Sequence, residues 1–278
     1  MKNNNILEFF GLSTKSDENI NWNKTVTDQM CPFSSSRCFK VRKSQPEISI
    51  GSCTVRYGKD EKYIIICPNR LLERNQVFTD CFHLLTLHEP GNELHILSEV
   101  SIPGGSVDYF LVSAKNKKVK DFVAIEFQTL DTTGTVWPER QKLLLAAGIQ
   151  PNDDESNSKK PFGMNWKMTA KTILVQIHHK IETFEHFNKH LVLIVQDHLL
   201  NYMSGEFNFE HLNNPALIGA SKHLHSYKLD HNKNSFRLNL KSRLSTDANG
   251  IATCLGLQAE AKIELEQIIA ELEKKINE

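Results

Sequence analysis

The stretch Phe122-Val123-Ala124-Ile125-Glu126-Phe127-Gln128 is an apolar run interrupted at alternate positions by an acid and an amide. Side chains along a strand alternate faces, so Glu126 and Gln128 project to one side while Ile125 and Phe127 face the other. Upstream stands Glu99-Val100-Ser101-Ile102-Pro103-Gly104-Gly105-Ser106-Val107-Asp108. Here strand-like residues surround a Pro-Gly-Gly turn. If Asp108 opens the strand that pairs with the 122–128 run, its carboxylate meets that of Glu126 across the pair. Two carboxylates in one pocket suit Mg²⁺, which takes a few carboxylates together with waters and phosphate oxygens. The plainer alternative is that Asp108 caps the turn and Glu126 decorates a solvent face. Spacing alone does not choose between them.

Outward from this stretch, strands are expected over 94–102, 106–113 and 122–130, the last two joined by the turn Lys115-Asn116-Lys117-Lys118. Helices are expected over 75–87, 138–147 and 166–189, with an acidic loop at Asp153, Asp154 and Glu155. Leu191-Val192-Leu193-Ile194-Val195 is a short apolar run of the buried-strand kind. From Leu257 to Ile276 one apolar stripe repeats at helical spacing. The class is α/β, and no internal repeat is found.

Before residue 75 the pattern differs. A short helix and an arm are expected up to about Asp28, then a small module of turns and two β-like runs, 47–57 and 63–67. The module carries the spacing Cys31-x6-Cys38-x14-Cys53-x13-Cys67. Four soft thiolates converging on one point make a tetrahedral Zn or Fe site. No C-x2-C pair is present, and four unrelated buried thiols are the competing reading. Cys31-Pro32, Cys67-Pro68 and Gly51-Ser52-Cys53 put turn-fixing residues beside three of them. Cys81 and His83 read as core and surface positions of a helix, and Cys254 as structural. From Arg37 to Arg74 there are nine basic residues against four acidic ones, so this module is locally basic. Arg37, Lys40, Arg42, Lys43 and Arg56 are candidates for DNA contact, and solvated surface charge is the alternative for each.

Composition sets the outer bounds. The 278 residues are 40% hydrophobic and 24% charged, which is ordinary globular composition and excludes disordered and collagen-like chains. Lys+Arg and Asp+Glu both number 33, so average charge points to no polyanionic partner. No run reaches the roughly 18 apolar residues of a membrane helix. The polar start Met-Lys-Asn-Asn-Asn predicts a cytoplasmic protein without membrane partners.

An Asp followed by Glu-x-Lys, or a variant of it, at the end of an apolar strand resembles the PD-(D/E)xK nuclease superfamily. The wording of this chain resembles the NotI-like Type II restriction endonucleases. It has Gly105-Ser106-Val107-Asp108-Tyr109, then Val123-Ala124-Ile125-Glu126-Phe127-Gln128 running into Leu130-Asp131-Thr132-Thr133-Gly134, with a four-cysteine module ahead of them. That family has Gln where most of the superfamily has Lys, and Gln128 agrees. The likeness extends through Asn165-Trp166-Lys167-Met168 and the helix with Gln176 and Lys180 to Val195-Gln196-Asp197. It covers roughly residues 30–200.

The resemblance implies a PD-(D/E)xK nuclease core, a mixed sheet flanked by helices, over 75–278. An N-terminal arm and four-cysteine metal-binding module would occupy 1–74. It implies Asp108, Glu126 and the Phe127 carbonyl as Mg²⁺ ligands, with Gln128 near the attacking water. Glu99 is a further candidate acid by position, and a strand-end surface charge otherwise. Cys31, Cys38, Cys53 and Cys67 are implied ligands of a structural Fe or Zn. The expected activity is sequence-specific, Mg²⁺-dependent cleavage of double-stranded DNA by a homodimer in the bacterial cytoplasm. A repair or recombination nuclease on the same core is the alternative. A DNA-binding module that has lost catalysis is a third reading, and the intact Asp108 and Glu126 pair argues against it.

Overall fold

The computed structural model describes residues 4–16, 18–102, 105–151, 161–232, 234–257 and 265–276. The acidic loop expected at 153–155, and Pro103 and Gly104, lie outside the described residues. Four strands make an N-terminal sheet: β1 (Ile6–Phe9), β2 (Leu12–Ser13), β3 (Ser52–Tyr57) and β4 (Lys62–Ile65), in the order β2-β1-β3-β4. Six more build the main sheet: β5 (Glu93–Ile102), β6 (Gly105–Lys115), β7 (Lys118–Gln128), β8 (His190–Gln196), β9 (Lys222–Asn232) and β10 (Ser235–Thr246). Their order is β10-β9-β8-β7-β6-β5. The pairs β7/β8 and β8/β9 are parallel and the others antiparallel, so the sheet is mixed.

The helices are α1 (Trp22–Asp28), α2 (Gln76–Cys81), α3 (Trp137–Ala146), α4 (Trp166–His186), α5 (Asp197–Glu206), α6 (Ala248–Leu255) and α7 (Leu265–Ile276). Helix α4 buries Ile173, Leu174, Ile177, Ile181 and Phe184, a three-four stripe that lies on the main sheet. With α5 and α6 it joins one apolar cluster that includes Ala124, Leu191, Leu193 and Leu224. The opposite face carries Ile125, Phe127, Val192 and Ile194, packed with Val77, Phe78 and Cys81 of α2. Strand β8 is buried at all seven positions, as a central parallel strand covered on both faces must be. The β6–β7 hairpin turns at Asn116 and Lys117, both with left-handed backbone, the geometry that matches strand twist.

Three expectations need correction. The first residues are not a loose arm: Ile6, Leu7 and Phe9 are wholly buried in β1, which pairs with β3. The run 47–57 is two strands, Gln45–Ser49 and β3, broken at Gly51. That glycine has φ +73, and a Cβ there would stand 2.5 Å from the Phe10 ring. The helix expected over 75–87 is α2 followed by a short 3-10 turn, Phe82–Leu84.

The N-terminal sheet docks on the main one at the end of β8. The Ile65 amide donates to Gln196 Oε1 at 2.9 Å, and the Gln196 amide group donates to the Tyr63 carbonyl at 2.5 Å. Beneath it Arg70 and Glu8 form a buried ion pair at 2.7 Å. Among the described residues, no helix is long and apolar enough to cross a membrane.

Candidate active site

The β6–β7 ladder runs from Lys115 and Lys118 up to Tyr109 opposite Ile125, the last pair of the register. Strand β6 continues along β5 as far as Gly105 opposite Ile102, while β7 continues along β8 as far as Gln128 opposite Val195. The two strands therefore part at Asp108 and Glu126. Phe127 has no strand partner on that side, and its amide donates to Asp108 Oδ2 at 2.8 Å. A side-chain carboxylate thus takes over from the ladder at the fork.

Glu126 is buried, with 6% of its surface exposed. Its Oε1 accepts a hydrogen bond from Lys180 Nζ of α4 at 2.6 Å, and the same ammonium donates to the Ser106 carbonyl at 2.6 Å. Burial pushes the Glu126 carboxyl above the ordinary carboxylate range and the charge of Asp108 adds to this, while the Lys180 hydrogen bond opposes both. Lys222 of β9 also acts on Glu126 through its charge. It is fully buried, its Nζ has no hydrogen-bond partner, and burial pulls its pKa down to about 7. Gln128 is partly buried, and its amide nitrogen donates to the Thr129 carbonyl at 2.6 Å.

Glu99 lies in β5 between Ser98, which pairs with Tyr109, and Val100, which pairs with Val107. That places it opposite Asp108. It is exposed and has φ +53, left-handed backbone inside a strand. Such strain costs about 1–3 kcal/mol and collects at functional sites. Burial raises the Tyr109 hydroxyl pKa, and the charges of Asp108 and Glu99 add to that shift. The two acids therefore share one locality.

All four cysteines of the N-terminal module are buried and reduced. Cys31 lies in a two-stranded ribbon, Met30–Cys31 with Ser36–Arg37, and Cys38 follows it, while Cys53 lies in β3 and Cys67 follows β4. The Cys53 thiol donates to the Gly51 carbonyl at 3.6 Å, and Cys53 and Cys67 shift each other's titration, Cys53 upward and Cys67 downward. The neighbouring Cys53 thiol brings the Cys67 pKa down to about 6, helped by the Lys40 ammonium and by the amides of Asn69 and Arg70. Burial raises the Cys38 thiol, and the charges of Cys67 and Cys31 add to it. Thiols that feel one another and receive backbone amides are the donor chemistry of a thiolate metal site. Yet among the described residues no three His, Cys, Asp or Glu side chains stand close enough to hold a metal ion.

The basic candidates divide. Lys40 donates to the Ile66 carbonyl, and Arg42 bonds Gln45 and lies over the Trp137 ring at 4.4 Å. Arg56 pairs with Glu61 at 3.2 Å. Arg37, bonded to the Glu47 carbonyl, and Lys43 are exposed. Cys81 is buried beside His225 at 3.7 Å, His83 is exposed, and Cys254 is buried near His211. All three follow the structural reading.

Lys180 and Lys222 carry no role in the sequence reading. For Lys180 a signal existed, since it sits beside Ile177 and Ile181 at the edge of the α4 stripe, where a long side chain reaches inward. Lys222 gave none. Searched against protein-family models and against curated proteins, the chain matches none of either.

Proposed function

We propose that this chain is a sequence-specific, Mg²⁺-dependent endonuclease of double-stranded DNA, built on a PD-(D/E)xK core. The observation that carries the reading is the fork. Two carboxylates that the sequence places on one face stand where β6 and β7 separate, beside an ammonium and a neutral amide. An arrangement that holds a buried acid next to a second acid works against stability, and such arrangements concentrate at reactive sites.

The oxygen donors fit a hard cation: Asp108 and Glu126 would hold Mg²⁺, with the Phe127 carbonyl as a third oxygen. Bound there, Mg²⁺ supplies neutralising charge at the phosphate and lowers the pKa of a coordinated water. Gln128 neither gains nor loses a proton near neutrality, so its part is to orient water or phosphate by hydrogen bonds. Reaching them requires it to leave the Thr129 carbonyl. Glu99, on β5 opposite Asp108, is a further exposed acid on the far side of β6, and with Asp108 and Glu126 it does not form a three-ligand group. Cys31, Cys38, Cys53 and Cys67 would hold a structural Fe or Zn that orders the basic N-terminal module only by drawing together, since no three of them stand close enough for it as placed. Arg37 and Lys43 are its most accessible candidates for phosphate contact. A homodimer would match the two-fold symmetry of a palindromic site.

The test is direct. Purified protein is incubated with phage and plasmid DNA and Mg²⁺, and the ends are sequenced. Double-strand ends sharing one short palindrome support the reading. Ends without common sequence favour a repair or recombination nuclease on the same core. DNA left intact by soluble, folded protein overturns both.

A further inference from the structure

Paired carboxylates solve one half of phosphodiester hydrolysis and aggravate the other. Asp108 and Glu126 bring two negative charges to a reaction whose phosphate gains negative charge at the transition state, and Gln128 brings no charge to offset them. The strand that carries Glu126 therefore lacks a cation of its own at the fork. Helix α4 presents one. Lys180 Nζ lies 2.6 Å from Glu126 Oε1 and 2.6 Å from the Ser106 carbonyl, so a single ammonium ties the helix to both arms of the fork. Its stem runs beside Gly105, where an added Cβ would stand 3.5 Å from Lys180 Cε. The pair is well shielded, with 13% of the Lys180 side chain and 8% of the Glu126 side chain exposed. Shielding two charges is costly and is weakly rewarded by stability alone.

Resting on the nuclease reading, we propose that Lys180 delivers from helix α4 the positive charge that strand β7 omits at Gln128. In the reaction a water oxygen bonds to phosphorus, and the bond from phosphorus to the leaving strand's oxygen breaks with its electron pair on that oxygen. The water's proton passes to solvent, and the leaving oxygen takes one back. Between these events the phosphate oxygens carry extra negative charge. An ammonium has three donors. Two of those on Lys180 hold Glu126 and Ser106, and the third is left for a phosphate oxygen. Lys222 cannot take this part, because its buried Nζ reaches no substrate; it contributes only its field at Glu126.

Cleavage kinetics of full-length wild type, Lys180→Gln, Lys180→Arg and the double variant Gln128→Lys/Lys180→Gln on one cleaved plasmid test this, with thermal melting as a check on folding. The Gln variant should lose roughly 10²–10³-fold in kcat, the usual effect of removing one charge-stabilising donor, with KM for DNA nearly unchanged. Lys180→Arg should recover at least a tenth of the wild-type rate. The double variant, with its ammonium moved to the strand, should exceed Lys180→Gln by at least tenfold. A Lys180→Gln enzyme within fivefold of wild-type kcat overturns the inference and leaves the nuclease reading standing. So does a loss that neither Lys180→Arg nor the double variant reverses, because the missing element is then not charge. A wild type that cleaves nothing removes the nuclease reading itself, and the inference with it.

Discussion

Asp108, one residue beyond the last cross-strand pair of β6 and β7, accepts at 2.8 Å the amide hydrogen of Phe127, two residues beyond it on β7. The bond gives Asp108 two tasks: it closes the frayed end of a ladder, and it fixes a carboxylate beside Glu126. The two are separable by substitution. Asparagine keeps a side-chain oxygen for the Phe127 amide and removes the charge. Asp108→Asn should melt within a few degrees of wild type and lose roughly a hundredfold or more in cleavage. Asp108→Ala should lose cleavage too, and in addition about 1 kcal/mol of stability for the abandoned hydrogen bond. Specific DNA binding should persist in both, measured by gel shift with Ca²⁺ in place of Mg²⁺. A cleavage rate within tenfold of wild type in Asp108→Asn would remove Asp108 from the reaction.

Gln128 spends its amide nitrogen on the Thr129 carbonyl, so its use in catalysis requires a rotation about the side chain. If it orients water only through hydrogen bonds, Gln128→Leu should be severely impaired. Gln128→Lys should remain active, since it brings a donor and a charge to the same place. Single-turnover cleavage at saturating Mg²⁺ separates this chemical step from DNA binding. Equal rates for Gln128→Leu and wild type would show that the side chain never reaches the attacking water.

The centre of the fold was legible because its physics is local. The 122–128 run alternates, β8 is uniformly apolar, and α4 has a three-four stripe, so each announces its element and its buried face. Residues 222–246 were not. Strand β9 buries Lys222, His223 and His225 at positions where an apolar residue is expected, which erases the period-two signal. Strand β10 does alternate Phe236, Leu238 and Leu240 with polar residues, but the family resemblance stops before it. The shared face of Glu126 and Gln128 could be read from strand period. The approach of Lys180 could not, because it depends on where a helix more than fifty residues away crosses the sheet.

Lys222 yields a stability prediction whose sign follows from burial. Its folded-state pKa, about 7, lies below the ordinary lysine value of 10.5. Between those values the unfolded chain keeps a proton that the folded chain releases, so wild-type stability rises with pH across that window and is lowest below it. Lys222→Met removes the buried charge at similar volume. It should raise Tm at pH 6 by at least roughly 2–4 °C, the shift expected from about 1 kcal/mol in a chain of this size. That advantage should shrink steadily toward pH 10.5. A variant that melts lower than wild type at pH 6 would show that the ammonium has a stabilising partner in the interior.

The cysteine module gives the most discriminating measurement. The depressed Cys67 pKa, brought down to about 6 chiefly by the neighbouring Cys53, prepares one thiolate at neutral pH. A metal would convert all four thiols to thiolates and lock the ribbon 30–37 onto β3 and β4. Elemental analysis of anaerobically purified protein should therefore find about one Fe or Zn per chain, as a single four-thiolate site requires. Cys53→Ser should lose that metal, because one ligand of four is gone and Cys67 loses its thiol partner. DNA binding should fall with it, since the basic residues ride on the same ribbons. Circular dichroism should still report the main sheet and its helices, which are built from residues after Asn75. Cys254→Ser, buried beside His211 away from the module, should change neither metal content nor DNA binding. If native protein contains no transition metal and all four module cysteines react freely with a thiol reagent, the four-thiolate site is wrong. The module is then held by β1–β4, the buried pair of Glu8 and Arg70 and contacts such as Lys40 with the Ile66 carbonyl.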